Sequence, residues 1–203
     1  IQAPATRRRK EALPGVASMR SGRDTDAMTS RTGRAARWAI AGLLGFALAT
    51  SATPAQAHQP VRLTAGDSTP ARGPLLVDGT VSFAVYASVK RGVTRGFRVG
   101  LRSGDRLAIQ LLIPDSAPAN RLPASALPLV TVIDPTGRRT TMPITERTPF
   151  YEPYSGTSYL YLARLSGSAR NGTYQVTVTG RSTTKVPVVI GVGYREVPGV
   201  VRD

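Results

Sequence analysis

A chain with one histidine and no cysteine has few routes to chemistry. The missing cysteine excludes thiol nucleophiles, thiolate metal sites and disulfides together. A serine hydrolase needs an imidazole held between its serine and an acid. The single histidine, His58, stands at the start of the segment that would remain after removal of an export signal. It is a mobile end there unless that end docks, and no G-x-S-x-G elbow accompanies it. Hydrolysis would then fall to carboxylates. Residues 58–203 hold nine Asp and Glu, most of them in turn contexts where aspartate serves the backbone. Glu146 and Glu152, which flank an aromatic segment, are the pair that could face one another as acid and base of a glycosidase.

Two metal readings follow from the same residues. An N-terminal His58 would chelate copper(II) through its amino group and imidazole. With no second imidazole in the chain, a carboxylate such as Asp67 or Glu146 would complete only a weaker site. Asp105, Asp115 and Asp134 could share a calcium ion with loop carbonyls, although no D-x-D-x-D-G loop is present. No other cofactor is expected.

The most distinctive feature is aromatic. Phe150, Tyr151, Tyr154, Tyr159 and Tyr161 fall within twelve residues, with Pro149 just before them and Pro153 and Gly156 between them. Tyrosines in a Pro/Gly loop can form a platform for sugar rings or a protein surface. Phe150, Tyr151 and Tyr154, with Glu146 and Glu152, form the candidate ligand site. Tyr159 and Tyr161 alternate within a strand-like run and read as core or sheet-surface residues.

The elements that must position these residues begin with an export signal. Residues 1–27 are polar and rich in breakers, with the run Arg7-Arg8-Arg9-Lys10, and read as disordered or as an extension ahead of a start at Met28. Over 28–57 come Arg31, Arg34 and Arg37, then the apolar run from Trp38 to Ala49, then Ala55-Gln56-Ala57 as a small-x-small cleavage site after Pro54. An apolar run of this length is shorter than the ~20 residues of a membrane-spanning helix. The sequence therefore predicts a secreted, periplasmic or envelope protein without a transmembrane anchor in its mature form. Residues 58–74 read as an extended lead-in and 75–203 as the working domain.

The charge of +15 divides into +6 over residues 1–57 and +9 over residues 58–203. Lysine supplies only Lys10, Lys90 and Lys185, and the arginines are scattered through strands and turns. A nucleic-acid groove needs its basic residues clustered, so no nucleic-acid partner is expected. Envelope polysaccharide or protein is.

Beyond His58 the helical period gives way to alternating runs separated by Gly, Pro, Asp and Asn. Val81, Phe83, Val85, Ala87 and Val89 fall on one face. Phe97, Val99 and Leu101 form a second such run, Leu107, Ile109, Leu111 and Ile113 a third. Leu129–Ile133, Ser158–Leu165 and Tyr174–Val178 follow, and Val186–Tyr194 is apolar enough for a central strand. Strands with one apolar face must meet another sheet. The fold class expected is all-β: a two-sheet antiparallel β-sandwich, with a jelly-roll path among its arrangements and a small closed barrel as the alternative.

Three motifs carry a family resemblance. They are Gly96-Phe97-Arg98-Val99-Gly100-Leu101-Arg102-Ser103-Gly104-Asp105-Arg106-Leu107, Val132-Ile133-Asp134-Pro135-Thr136-Gly137 and Asn171-Gly172-Thr173-Tyr174-Gln175-Val176-Thr177-Val178. In this order they resemble the bacterial pre-peptidase C-terminal domains, over about residues 75–195. The long Tyr/Pro-rich segment Pro143–Gly156 departs from that pattern. The resemblance implies a secreted β-sandwich that serves as an accessory or binding module and carries out no reaction. The alternatives from the residues themselves are a small exported carboxylate hydrolase and a periplasmic copper protein built on His58.

Overall fold

The computed structural model describes residues 58–153 and 155–203. The expected disordered segment, the export signal with Ala55 and Ala57, and Tyr154 lie outside the described residues. Two six-stranded sheets pack face to face. The strands are β1 (Gln59–Arg62), β2 (Leu75–Leu76), β3 (Phe83–Val89), β4 (Thr94–Leu101), β5 (Arg106–Pro114), β6 (Leu129–Ile133), β7 (Arg139–Thr141), β8 (Thr148–Glu152), β9 (Thr157–Ser168), β10 (Gly172–Thr179), β11 (Val186–Val192) and β12 (Val201–Arg202). Sheet A has the order β1-β3-β11-β5-β9-β8, and sheet B the order β12-β2-β4-β10-β6-β7. Among the described residues the helical content is a single 3-10 turn, Ala119–Arg121.

The central pairings are nested. β6 pairs with β7, β5 with β9, β4 with β10 and β3 with β11, all antiparallel. A long hairpin rolled so that successive pairs alternate between sheets gives this order, which is the jelly-roll path. Neither sheet closes on itself, so the barrel alternative is set aside. The expected two-sheet sandwich carries two parallel pairs among its antiparallel ones. β1 runs parallel to β3, and β2 parallel to β4. Parallel neighbours need a crossover of a dozen or more residues, and residues 63–82, which visit sheet B at β2, supply it between β1 and β3.

Alternation explains the core. Phe83, Val85 and Val89 of β3 point inward with Val188 and Ile190 of β11 and Ile109, Leu111 and Ile113 of β5. From sheet B, Phe97, Val99, Val130, Val132, Tyr174, Val176 and Val178 meet them in one cluster. The Tyr174 hydroxyl has an acceptor's role even here, receiving the Arg170 N–H at 2.8 Å.

The edge strands left weaker marks in the sequence. β1 and β8 carry Pro60 and Pro149, which lack a donor and suit an outer position. β8 corrects the placing of Phe150 and Tyr151 in a Pro/Gly loop, because Thr148–Glu152 pairs with Tyr161–Thr157 of β9. Arg147 secures its entry, donating from Nη1 to the Asn120 carbonyl at 2.9 Å and from Nη2 to that of Leu122.

One turn makes a pH-dependent contribution. Asp78 accepts the Thr80 hydroxyl at 2.7 Å and the Thr80 N–H at 2.9 Å, and lies 3.5 Å from Arg195. The Thr80 hydroxyl bond is the main cause that holds its carboxyl below the ordinary value of 3.8. A depressed folded-state value means stability that is complete above the unfolded value and lost as pH falls through the folded one. Asp78→Asn should therefore lower the melting temperature near neutral pH, and the gap from wild type should close below about pH 4. A gap that persists unchanged into acid would show that the ionised carboxylate contributes nothing.

Candidate functional site

The outer face of sheet A carries a second apolar cluster, separate from the sandwich core. Ala84, Leu112 and Val189 form its floor, and Tyr86, Phe150, Tyr159 and Tyr161 pack on them, half-buried. Register explains why these distant residues meet. Arg62 stands opposite Tyr86, Tyr86 opposite Val189, Val189 opposite Leu112, Leu112 opposite Tyr161, and Tyr161 opposite Thr148. One row of side chains thus crosses all six strands. A β-bulge at Leu111/Leu112 inserts a residue into β9, so that Leu162 and Ala163 are both buried while Tyr161 and Arg164 face outward.

A depression of about 40 Å³ opens among His58, Tyr86, Gln110, Phe150, Glu152, Tyr161 and Gly191. Beside it, Arg62, Tyr86, Tyr159, Pro114, Pro187 and Val189 line a shallower hollow of about 310 Å³. Gly191 lies directly opposite Ala84 and Gln110. A methyl group there would come within 3.3 Å of the Gln110 side chain, so glycine keeps the floor low.

Guanidinium groups cover two of the rings. Arg62 sits 5.3 Å from the centroid of Tyr86, and Arg164 4.1 Å from that of Tyr161. Arg164 also pairs with Glu146 at 3.2 Å, and Glu146 accepts the Thr148 hydroxyl at 2.6 Å. Phe150 and Tyr161 lie 5.4 Å apart at a tilt of 46°. Burial, first, and then the adjacent Tyr159 and Glu152 push the Tyr86 phenol above its ordinary 10.0 against the pull of Arg62. For Tyr161 burial again leads, with Arg164 opposing and Glu146 adding to it. Both phenols therefore stay neutral at physiological pH and keep a donor. The surface is amphipathic: aromatic and aliphatic at the centre, guanidinium at two margins, carboxylate beside them.

Of the expected aromatic site, the structure assembles only part. Phe150 and Glu152 belong to the depression. Tyr151 falls on the other face of β8 by strand alternation and is 60% exposed. Tyr159 and Tyr161 do lie on the sheet surface, as their alternation suggested. Tyr86, Gln110, Leu112 and Val189 gave no sign of a site in the sequence, because register alone brings them beside β8.

Glu146 and Glu152 do not face each other. The Glu146 N–H meets the Leu162 carbonyl, whereas Glu152 pairs with Thr157, five residues away along β9. That spacing is about 17 Å of strand, against roughly 5–10 Å between glycosidase carboxylates. Glu152 accepts the Ser155 N–H at 2.7 Å.

His58 is docked, contrary to the expectation of a mobile end. Gln59 opens β1, its side chain bonds both backbone groups of Gly199, and His58 Nδ1 is hydrogen-bonded to Ser82 Oγ. Nδ1 is the ring nitrogen that would close a copper chelate with the amino group, and here it serves the anchor. Ser82 is 4% exposed, which puts its hydroxyl out of a substrate's reach.

The three aspartates offered for calcium are dispersed. Asp105 receives the Arg102 N–H at 2.7 Å before β5, and Asp115 receives Asn120 Nδ2 at 3.0 Å after it. β5 is nine residues long, so about 30 Å separates them. Asp134 closes the β6–β7 turn, accepting the Thr136 N–H and hydroxyl and the Arg138 N–H. Among the described residues, no three of His, Cys, Asp and Glu gather as a metal-binding set.

No family model matches the chain, and no curated protein matches it in sequence. Among solved structures it is similar to a periplasmic inhibitor of g-type lysozyme from Aeromonas hydrophila, at 10% identity and a TM-score of 0.35, over 68% of this chain and 96% of that one. A similarity of that size carries nothing about what this chain binds. No helix among the described residues is long and apolar enough to cross a membrane.

Proposed function

We propose that the chain is an exported, non-enzymatic β-sandwich module that binds a protein partner through the outer face of sheet A. Export rests on the basic, apolar and small-x-small zones of residues 28–57. The resemblance to pre-peptidase C-terminal domains supports a binding role over a reaction.

The observation that carries the reading is the row Arg62–Tyr86–Val189–Leu112–Tyr161 across the sheet, with guanidinium groups stacked on its two tyrosines. Tyrosine and arginine around an aliphatic centre are the residue types that dominate protein interfaces. A sugar platform needs free ring faces, and Arg62 and Arg164 already occupy one face of each ring. This favours protein over envelope polysaccharide.

Val189→Arg tests it at the centre of the row. Val189 points outward on a central strand, so an arginine stem can lie along the patch while its charge reaches water. The whole chain, immobilised, should retain a protein of the envelope saturably. The variant should bind it roughly 30-fold more weakly, about 2 kcal/mol, with circular dichroism unchanged. Equal retention by both forms would remove this face from the reading. Retention of purified envelope polysaccharide in place of any protein would transfer the site to that ligand.

A further inference from the structure

The chain's two lysines beyond His58 are 95 residues apart in sequence and line one cavity. Val186 pairs with Val89 where the β3–β11 ladder ends, so the next residues, Lys185 and Lys90, stand opposite each other. Like charges in that relation repel. Arg95 of β4 lines the same cavity from sheet B, with Ser88, Val93 and Thr183, around about 470 Å³. Among the described residues no carboxylate lines it.

The neighbouring arginines show what an occupied cation looks like here. Arg91 donates to the Arg181 carbonyl, and Arg181 to those of Leu127 and Ala124. Arg95 spends one nitrogen on the Thr94 carbonyl. Neither lysine's ammonium group has a hydrogen bond or ion pair among the described residues, and the Lys90 carbonyl is engaged by the Val93 N–H at 2.9 Å. The scattered basic charge expected from the sequence thus contains one local concentration. The backbone holds it in place, because the Arg91 N–H bonds to the Ser182 carbonyl and the Gly180 N–H to that of Val93.

We infer that this cavity, formed by Lys90, Arg95 and Lys185 with the hydroxyls of Ser88 and Thr183, is a binding site for a phosphomonoester. A phosphomonoester brings close to two negative charges and three strong acceptor oxygens, which suits three cations and two hydroxyl donors. A carboxylate brings one charge and two oxygens. Lysine acts on such a group as a point charge, without the fixed fork of arginine. The site adjoins the aromatic face through Ser88, which also lines the hollow beside Tyr86, but it does not depend on that face being an interface. The phosphomonoester can come from a soluble compound or from a lipid headgroup.

Calorimetric titration of the whole chain with glycerol 3-phosphate, and sedimentation with phosphatidylcholine vesicles with and without phosphatidic acid, separate the sources. Saturable binding to glycerol 3-phosphate assigns a soluble ligand. Binding only to phosphatidic acid vesicles assigns a headgroup. In either case Lys90→Gln with Lys185→Gln should weaken binding by about tenfold or more. Arg138→Gln with Arg139→Gln removes the same charge from the β6–β7 turn and should leave binding within about twofold. If both double variants lose affinity equally, diffuse charge explains the binding and the site is overturned. Absence of binding to every probe overturns it as well. Lys185→Gln alone, at an exposed position, keeps the comparison available should the double variant not fold.

Discussion

Phe97→Ala is expected to destabilise the domain by about 3–5 kcal/mol, the usual range for truncating a fully buried Phe. Phe97 is 0% exposed and belongs to the cluster that joins the inner faces of the two sheets. Domains of this kind hold roughly 5–15 kcal/mol in total, so the variant should lose a large share of its stability. A fall in melting temperature on the order of 10 °C follows. Phe150→Ala is the informative comparison. Phe150 is half-buried on an edge strand, packed on one side against Tyr161. Its truncation should cost about 1–2 kcal/mol, since solvent already reaches the ring and little cavity is left behind. Urea titration of both variants reads the difference. Equal costs would mean that the outer cluster is a second core, and the case for sheet A as a binding face would fall with it.

Gly193→Ala should be nearly as damaging, at about 3 kcal/mol, from backbone strain and overlap together. Gly193 follows β11 with φ at +76°, a conformation in which a side chain meets its own backbone. An added Cβ would lie 2.0 Å from the Val81 carbonyl oxygen and 2.5 Å from its carbon. Both neighbours are backbone, so no rotamer change relieves the contact. The Gly193 N–H bonds to the Ala108 carbonyl at 3.0 Å, and the Tyr194 and Arg195 N–H groups share the Thr80 carbonyl at 2.9 Å. Any displacement of Val81 passes to Ser82, the next residue and the anchor of His58. The variant should therefore lose stability and also disturb the rim of the depression beneath Tyr86. A melting temperature equal to that of wild type would refute the strain argument.

These two sites differ in how openly the sequence announces them. Phe97 sits in a run of alternating apolar residues, where period alone assigns it to a buried face. Gly193 follows a continuous apolar strand, and nothing local says which carbonyl approaches it. The same contrast holds across the fold. β6 is bounded as its residues predict, Leu129 to Ile133, because the Asp134-Pro135-Thr136-Gly137 turn ends it. β8 was hidden by Pro149 and Pro153, whose chemistry marks an edge strand and a loop alike.

Local sequence by itself determined the strand content, the inward faces and the principal turns, since a period of two and turn chemistry act over a few residues. It also excluded cysteine chemistry and reduced histidine chemistry to His58. Tertiary structure decided which strands are neighbours, and with that every proposed site. Register places Tyr86, Val189, Leu112 and Tyr161 in one row, sends Tyr151 to the opposite face from Phe150, holds Glu146 and Glu152 apart, and sets Lys90 against Lys185. Pairing between residues some 20 to 100 positions apart arises from the burial of whole sheet faces against each other. No short stretch of the chain contains that information.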